Sequence, residues 1–271
     1  MTSKRSRAIK DLPEGCIAAI LSHTTPVDAG RFSVVSKGDS FHSAADSDTV
    51  WNRFLTSHPQ GITASTKKAL YLALSDRHII IDNGKKSFQL HRKSGQKCYM
   101  LAARSLTIEC RCVYRVKELI PMDDSRFPEV AKLSLLYSHE IRGTINTLSL
   151  SPNTQYAAYL VFKMIHAYGQ KNKPVCFNVG VDGDRRSVKS VCLDPDLEHW
   201  RKSHYNEEGL QRPTVRSDGW LEIEMGKFFN SSPKDEEVRM SVLQRSGYRI
   251  KGDLFIEGIE VSLSKRIKQY S

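Results

Sequence analysis

About a third of the way along this chain, the spacing of its apolar positions changes. Ile17, Ile20 and Leu21 follow the i, i+3, i+4 spacing that gathers side chains on one face of a helix. Asp11 stands ahead of them as a cap, and Pro13 suits a first helical turn. A second helix is expected after a Thr25 cap, with Pro26 in its first position and Ala29, Phe32 and Val35 facing inward. A third carries Trp51, Phe54 and Leu55, entered through Asp46-Ser47-Asp48 and closed near His58-Pro59. Three short helices enclose little core, so part of their apolar surface is expected to belong to a partner.

Residues 67–74 hold one more amphipathic stretch, through Leu70, Ala73 and Leu74. The period then falls to two. His78 to Asp82 reads as a short strand followed by the turn Asp82-Asn83-Gly84. Leu221, Ile223 and Met225 alternate with Glu222 and Glu224. Val238, Met240 and Val242 alternate with Arg239 and Ser241, and Ile259, Val261 and Leu263 with Glu260 and Ser262. The unbroken run Tyr156–Phe162 reads as a strand covered on both faces. Turns are expected at Ser151-Pro152-Asn153, Asp182-Gly183-Asp184, Ser217-Asp218-Gly219 and Ser246-Gly247, and a long surface loop over 194–215. Many antiparallel strands with one polar face make a β-sandwich, so the fold class is α+β.

Composition acts mainly by exclusion. Hydrophobic content of 39% and charged content of 26% are those of a globular chain. No apolar run approaches the ~20 residues of a membrane span, so no membrane association is expected. The basic start Met1–Arg7 leads into no signal-peptide core, which sets the expectation of a cytoplasmic or nuclear protein; Lys4-Arg5-Ser6-Arg7 is a short nuclear-localisation pattern. Of the net charge of +11, residues 61–97 contribute +6. That stretch holds only Tyr71 and Phe88 as aromatic partners, so a solvated basic surface is expected there and nucleic-acid binding is not.

Of the six cysteines only Cys110 and Cys112 are close, with one residue between them, too few for a zinc knuckle. The nine histidines show no ligand spacing. No metal, no cofactor and no catalytic residue are expected, and no phosphate loop, nucleophile elbow or dinucleotide fingerprint is present. Glu222 and Glu224 share a strand face, but a solvated face is expected there and not a glycosidase pair. Trp220 is expected in the core or at its rim.

Residues 12–36, from Leu12-Pro13-Glu14-Gly15-Cys16 through Val34-Val35-Ser36, with Phe41 to Trp51 beyond, closely resemble an F-box. The remainder resembles the phloem-protein-two (Nictaba-related lectin) family of plants, in the branch with an N-terminal F-box. The matching segments are Ile80–Phe88, Lys97–Leu106, Glu140–Ile145, Ala158–Lys163, Arg216–Asn230 and Glu237–Met240. The resemblance implies a basic tail (1–10), a three-helix F-box (11–58), a basic helical and strand connector (59–97), a jelly-roll-like antiparallel β-sandwich (98–265) and a second tail (266–271).

It also implies a function: substrate-recognition subunit of a cullin-RING ubiquitin ligase, without catalysis of its own. Leu12, Pro13, Ile17, Ile20, Leu21, Val34, Val35 and Trp51 are the residues expected to bury themselves against a Skp-type adaptor, while the sandwich holds a protein or glycoprotein target. In lectins of that family two tryptophans stack on the sugar. Here the first falls on Cys110 and the second near Lys117, with Tyr114 the ring nearby; the acidic sugar contacts fall on Glu237 and on Gln244, which replaces a glutamate. Tyr114, Glu237 and Gln244 are therefore the expected glycan or target contacts, with Trp200 a further ring. The alternative is a carbohydrate-binding lectin or stress-response protein acting without the ligase, its F-box stripe packed against the Leu70/Leu74 helix.

Overall fold

A computed structural model describes residues 12–35, 39–55, 62–110, 117–134, 139–168, 174–181, 187–193, 210–231, 234–243 and 251–264. The chain divides into two compact units: Met1–Ile79 with Phe88–Lys97, and Ile80–Ser87 with Cys98–Ser271.

The first unit holds α1 (Glu14–Ser22), α2 (Pro26–Val35), α3 (Asp39–Asp46), α4 (Asp48–Phe54) and α5 (Lys67–Asp76). Four helices, not the expected three, occupy residues 14–54. The unforeseen one is α3, whose sequence is polar except at Phe41, Ala44 and Ala45. Two of those three are alanines, too small to give a strong apolar stripe, yet all three are buried, the alanines letting the helices approach closely. The second start signal holds: Thr25 Oγ1 accepts from Asp28 N at 3.2 Å, with Pro26 in the first turn. At α1 the residue before the helix is Pro13, and Asp11 lies outside the described residues. On α2 the buried stripe runs through Pro26 and Ala29, leaving Phe32 exposed; on α5 it runs through Leu70, Tyr71 and Leu74, leaving Ala73 exposed. Both are off-stripe by one position, an error that 3.6-residue periodicity permits in helices of ten residues.

Trp51 anchors this unit. Its Nε1 donates to Ala45 O at 2.7 Å, and its ring lies 5.1 Å from that of Tyr71 and 5.7 Å from that of Phe54. The Tyr71 hydroxyl donates to the carbonyls of His91 and Arg92, and burial pushes its pKa above the ordinary value. Gly95 (φ +72°) turns the chain against Pro26, Phe54 and Tyr71.

The strands are β1 (Ile79–Ile81), β2 (Lys86–Leu90), β3 (Lys97–Ala102), β4 (Thr107–Cys110), β5 (Lys117–Pro121), β6 (Glu129–Ser134) and β7 (His139–Asn146). There follow β8 (Thr154–Tyr168), β9 (Val175–Val181), β10 (Ser187–Val191), β11 (Thr214–Val215), β12 (Leu221–Asn230), β13 (Glu237–Leu243) and β14 (Lys251–Leu263). In the second unit the larger sheet runs β3-β14-β8-β12-β11, with β6 also on β14 and β5 on β6; the smaller runs β10-β9-β13-β7-β4. The named strand pairs are antiparallel. The turns expected at residues 82–84, 151–153 and 217–219 are present, with positive φ at Asp82, Asn83, Gly84, Asn153 and Gly219. Those at 182–184 and 246–247, and residues 194–209 of the expected loop, lie outside the described residues; Gln211 bridges Val191.

The two sheets enclose one apolar core. Tyr156, Leu160 and Phe162 of β8, Ile256 and Ile259 of β14 and Ile223 of β12 face Ile141, Phe177, Val238, Met240 and Val242 of the smaller sheet. Tyr156–Phe162 is buried on both sides, as its unbroken apolar run implied. The second cover is a satellite core of Met100, Phe127, Val130, Val161, Trp220 and Phe255 on the outer face of the larger sheet. At Gly258, beside a β-bulge in β14, a Cβ would lie 2.0 Å from Leu101 O, so only glycine fits.

Candidate functional site

In the helical unit the eight expected adaptor contacts part company. Ile17, Leu21 and Trp51 are buried within the unit and are core residues of this fold, which corrects their assignment to a surface. Leu12 is half-buried, and Pro13 is exposed ahead of α1. Ile20 (48%) and Val34 (83%) are open, as is Phe32 (41%), which was expected inside. The side chain of Val35 lies outside the described residues. One face of the helices therefore closes on α5, through Trp51 and Tyr71, while α1 and α2 still present large apolar side chains to water.

In the sandwich, Glu237 lies exposed on β13; Tyr114, Gln244 and Trp200 lie outside the described residues, as do the side chains of Cys110 and Lys117. The register places Glu237 opposite Asn146, two residues from Arg239 on the same outer face of the smaller sheet. That face carries a shallow groove of about 180 Å³, lined by Glu140, Arg142 and Thr144 of β7, Arg239 and Ser241 of β13 and Asn178 of β9. Arg142 stands between Thr107 and Ser241, and Ser241 beside Asn178; Arg239 stands opposite Thr144, on the diagonal from Arg142. Arg142 is held by Glu109 through Nη2 (2.5 Å) and by Glu140 through Nε (3.5 Å). Asn178 Oδ1 is buried with no hydrogen-bond partner among the described residues, at a cost of ~1–3 kcal/mol. Sequence periodicity shows the alternation that brings these side chains to one face, but not which strands lie side by side.

Part of the outer face of the larger sheet is covered. Arg216 Nη1 bonds Glu260 (3.1 Å) and Glu222 (3.3 Å), and Arg126 Nη2 bonds Glu260 (3.3 Å). Burial opposes the Arg216 charge, but Glu260, Asp218 and Glu222 outweigh it and hold the guanidinium above its ordinary pKa. Buried Glu257 accepts from Arg126 N (2.5 Å) and Ser125 Oγ (3.1 Å); burial still pushes its carboxyl upward. Trp220 Nε1 donates to Asp124 O at 2.9 Å, and Lys163 Nζ sits 4.6 Å above its ring. Trp220 is a core residue, as expected. Glu222 and Glu224 are not the solvated pair expected: both are largely covered and ion-paired, Glu222 with Arg216 and Glu224 with Lys189 and Lys227.

Among the described residues no group of three or more His, Cys, Asp or Glu is placed to hold a metal, and no helix is long and apolar enough to cross a membrane. His139 is buried at the start of β7 with neither ring nitrogen bonded among the described residues; burial lowers its pKa to about 4.

A small helical unit joined to a mostly antiparallel β-sandwich is the class of protein these features define. Residues 96–263 match the family model of phloem protein 2. The chain is 37% identical to F-box protein PP2-B10 of Arabidopsis thaliana, over 96% of each chain, and 38% identical to F-box protein PP2-B15 of the same plant, over 92% of this chain and 95% of that one. F-box protein VBF, also from Arabidopsis thaliana, is 35% identical over 92% and 98%. The chain belongs to the phloem protein 2 family, among the plant F-box proteins that carry this domain. Among solved structures it is similar to TmCBM61 in complex with β-1,4-galactotriose (11% identity, TM-score 0.32, covering 60% of this chain and 91% of that one). It is also similar to a family 35 carbohydrate-binding module from Clostridium thermocellum (9%, TM-score 0.33, 62% and 98%). Likeness at that level supports no inference about ligand.

Proposed function

We propose that this chain is the substrate receptor of a cullin-RING ubiquitin ligase, working in the cytoplasm or nucleus. The helical unit docks a Skp-type adaptor and the sandwich holds the target. The observation that carries this reading is that α1 and α2 keep Ile20, Phe32 and Val34 exposed although the unit has its own core in Ile17, Leu21, Trp51 and Tyr71. A module this small gains by covering such side chains with a partner. The chain performs no bond chemistry of its own. It raises the local concentration of target lysines at a ubiquitin-loaded partner enzyme, an effect of proximity.

A pull-down of the full chain with a plant Skp adaptor tests the first half. Ile20→Asp and Val34→Asp are expected to cut capture at least tenfold while leaving the unfolding midpoint within a degree or two. Undiminished capture by both variants defeats the interface. Trp51→Ala is unsuitable as a probe because it removes core.

A second reading, a lectin or stress-response binding protein independent of the ligase, is favoured by one observation: Trp51 of the F-box stripe packs against Tyr71 of α5. It predicts no adaptor capture by the wild type and retained binding of high-mannose glycopeptides or chitin oligomers by the sandwich.

A further inference from the structure

We infer that α5 and the chain segment Phe88–Lys97, both outside the F-box resemblance, form a brace that positions α2, with Tyr71 and Gly95 as its positioning residues. The inference rests on reading the exposed side chains of α1 and α2 as the adaptor-docking face, and it names what sets that face from outside. Three observations carry it.

Placement is the first. Phe88–Lys97, which includes the turn from β2 into β3, groups with the helices and not with the sandwich. The turn is closed by His91 N donating to Gln96 O and Gly95 N donating to His91 O, each at 2.8 Å. Gly95, at φ +72°, reaches the point where α2 begins, α4 ends and α5 passes. A Cβ there would lie 3.5 Å from Pro26 Cγ, 3.6 Å from Phe54 Cβ and 3.6 Å from Tyr71 Cε2. Any side chain is strained at that φ, and atoms beyond Cβ would press on all three neighbours.

Hydrogen bonding is the second. The Tyr71 hydroxyl is shared between the carbonyls of His91 (3.2 Å) and Arg92 (3.1 Å), which ties the turn to α5. Gln89 Nε2 donates to Ser75 O at 2.9 Å, satisfying a carbonyl in the last turn of α5. The Tyr71 ring lies 5.1 Å from that of Trp51 and 6.1 Å from that of Phe54. One residue therefore holds the turn through its hydroxyl and α4 through its ring.

Charge is the third. Lys68 Nζ pairs with Asp46 of α3 at 2.5 Å and lies 5.9 Å from the Trp51 ring centroid, and Lys67 N donates to Asp48 Oδ1 at 3.2 Å. Part of the basic stretch expected as a solvated surface is thus engaged by α3 and α4. Phe32 and Val34 stand on α2, so fixing its first turn fixes where they stand before docking, and less freedom is lost when a partner covers them.

The experiment uses the purified full chain as wild type, Tyr71→Phe and Gly95→Val, with Val242→Ala of the sandwich core for comparison. Hydrogen exchange followed by mass spectrometry reads α2, and titration with a plant Skp adaptor reads docking. Tyr71→Phe keeps the ring and removes only the bonds to the turn. In that variant α2 is expected to exchange about threefold faster and the adaptor to bind about threefold more weakly. Gly95→Val is expected to raise both effects to at least tenfold. Val242→Ala is expected to lower the urea midpoint with both readouts at wild-type values. Unchanged exchange of α2 in both brace variants overturns the proposal, and so does faster exchange with undiminished affinity for an adaptor that the wild type binds. Equal effects in Val242→Ala also overturn it, since they would mark a response to stability alone. If Gly95→Val unfolds the helical unit, Tyr71→Phe decides. A wild type that captures no adaptor sinks the ligase reading alone, and the exchange of α2 then decides the brace.

Discussion

On the outer face of the larger sheet, Arg126 and Arg216 meet Glu222 and Glu260 with side chains between 11% and 17% exposed. On the outer face of the smaller sheet, Arg142 meets Glu109 and Glu140 with side chains between 37% and 59% exposed. The residue types are the same and their surroundings differ. The segment around Asp124–Phe127, with Trp220, closes over the first set and lowers the dielectric around it, so each charge there depends on its partners. Water screens the second set, so its pairs orient Arg142 and add little to stability. A sealed network specifies how a segment packs, whereas an open one is a surface that a ligand can enter.

Trp220→Ala should give the largest effect, because it opens the satellite core and removes the donor to Asp124 O. Destabilisation of about 4 kcal/mol is expected by urea denaturation. A loss near that of an exposed residue would show that the face is not sealed.

Arg216→Ala should follow at about 3 kcal/mol, since Glu222 and Glu260 are covered and both lose this cation, leaving Arg126 beside Glu260. Arg142→Ala on the open face should cost under ~1 kcal/mol. Equal costs for the two would erase the distinction between the faces.

His139 sharpens the comparison from within the smaller sheet, because it faces inward where its neighbours Glu140 and Arg142 face out. Its folded pKa, lowered to about 4 from 6.5, means that the unfolded chain takes up the proton first. Its contribution is therefore complete above pH 6.5 and is lost as pH falls towards 4. By pH 5 the loss should reach about 2 kcal/mol. His139→Phe should flatten that part of the profile, read as urea midpoints between pH 7 and 5; an unchanged slope would mean that the ring is not isolated in the core.

Much of the fold was legible because burial and backbone geometry are written locally. The strand alternations at Leu221–Met225, Val238–Val242 and Ile259–Leu263, and the turns at Asp82–Gly84 and Gly219, follow from period-two burial and from residues that tolerate positive φ. The α3 helix escaped because two alanines make a faint stripe. The adaptor surface was half legible: Ile17, Ile20 and Leu21 share one apolar spacing, yet Ile20 is exposed while the other two are buried. Spacing gives a stripe its width, not the neighbour that covers each edge of it.

By itself, the sequence determined that helices precede strands, that Tyr156–Phe162 is buried on both faces, and that the chain belongs with the F-box proteins of the phloem protein 2 family. Only the tertiary structure decided which arginines are sealed and which are open. Arg142 and Arg239 are nearly a hundred positions apart, and Arg216 and Glu260 more than forty. Their company is set by which strands pair and in what register, a non-local choice made by the packing of the whole sandwich.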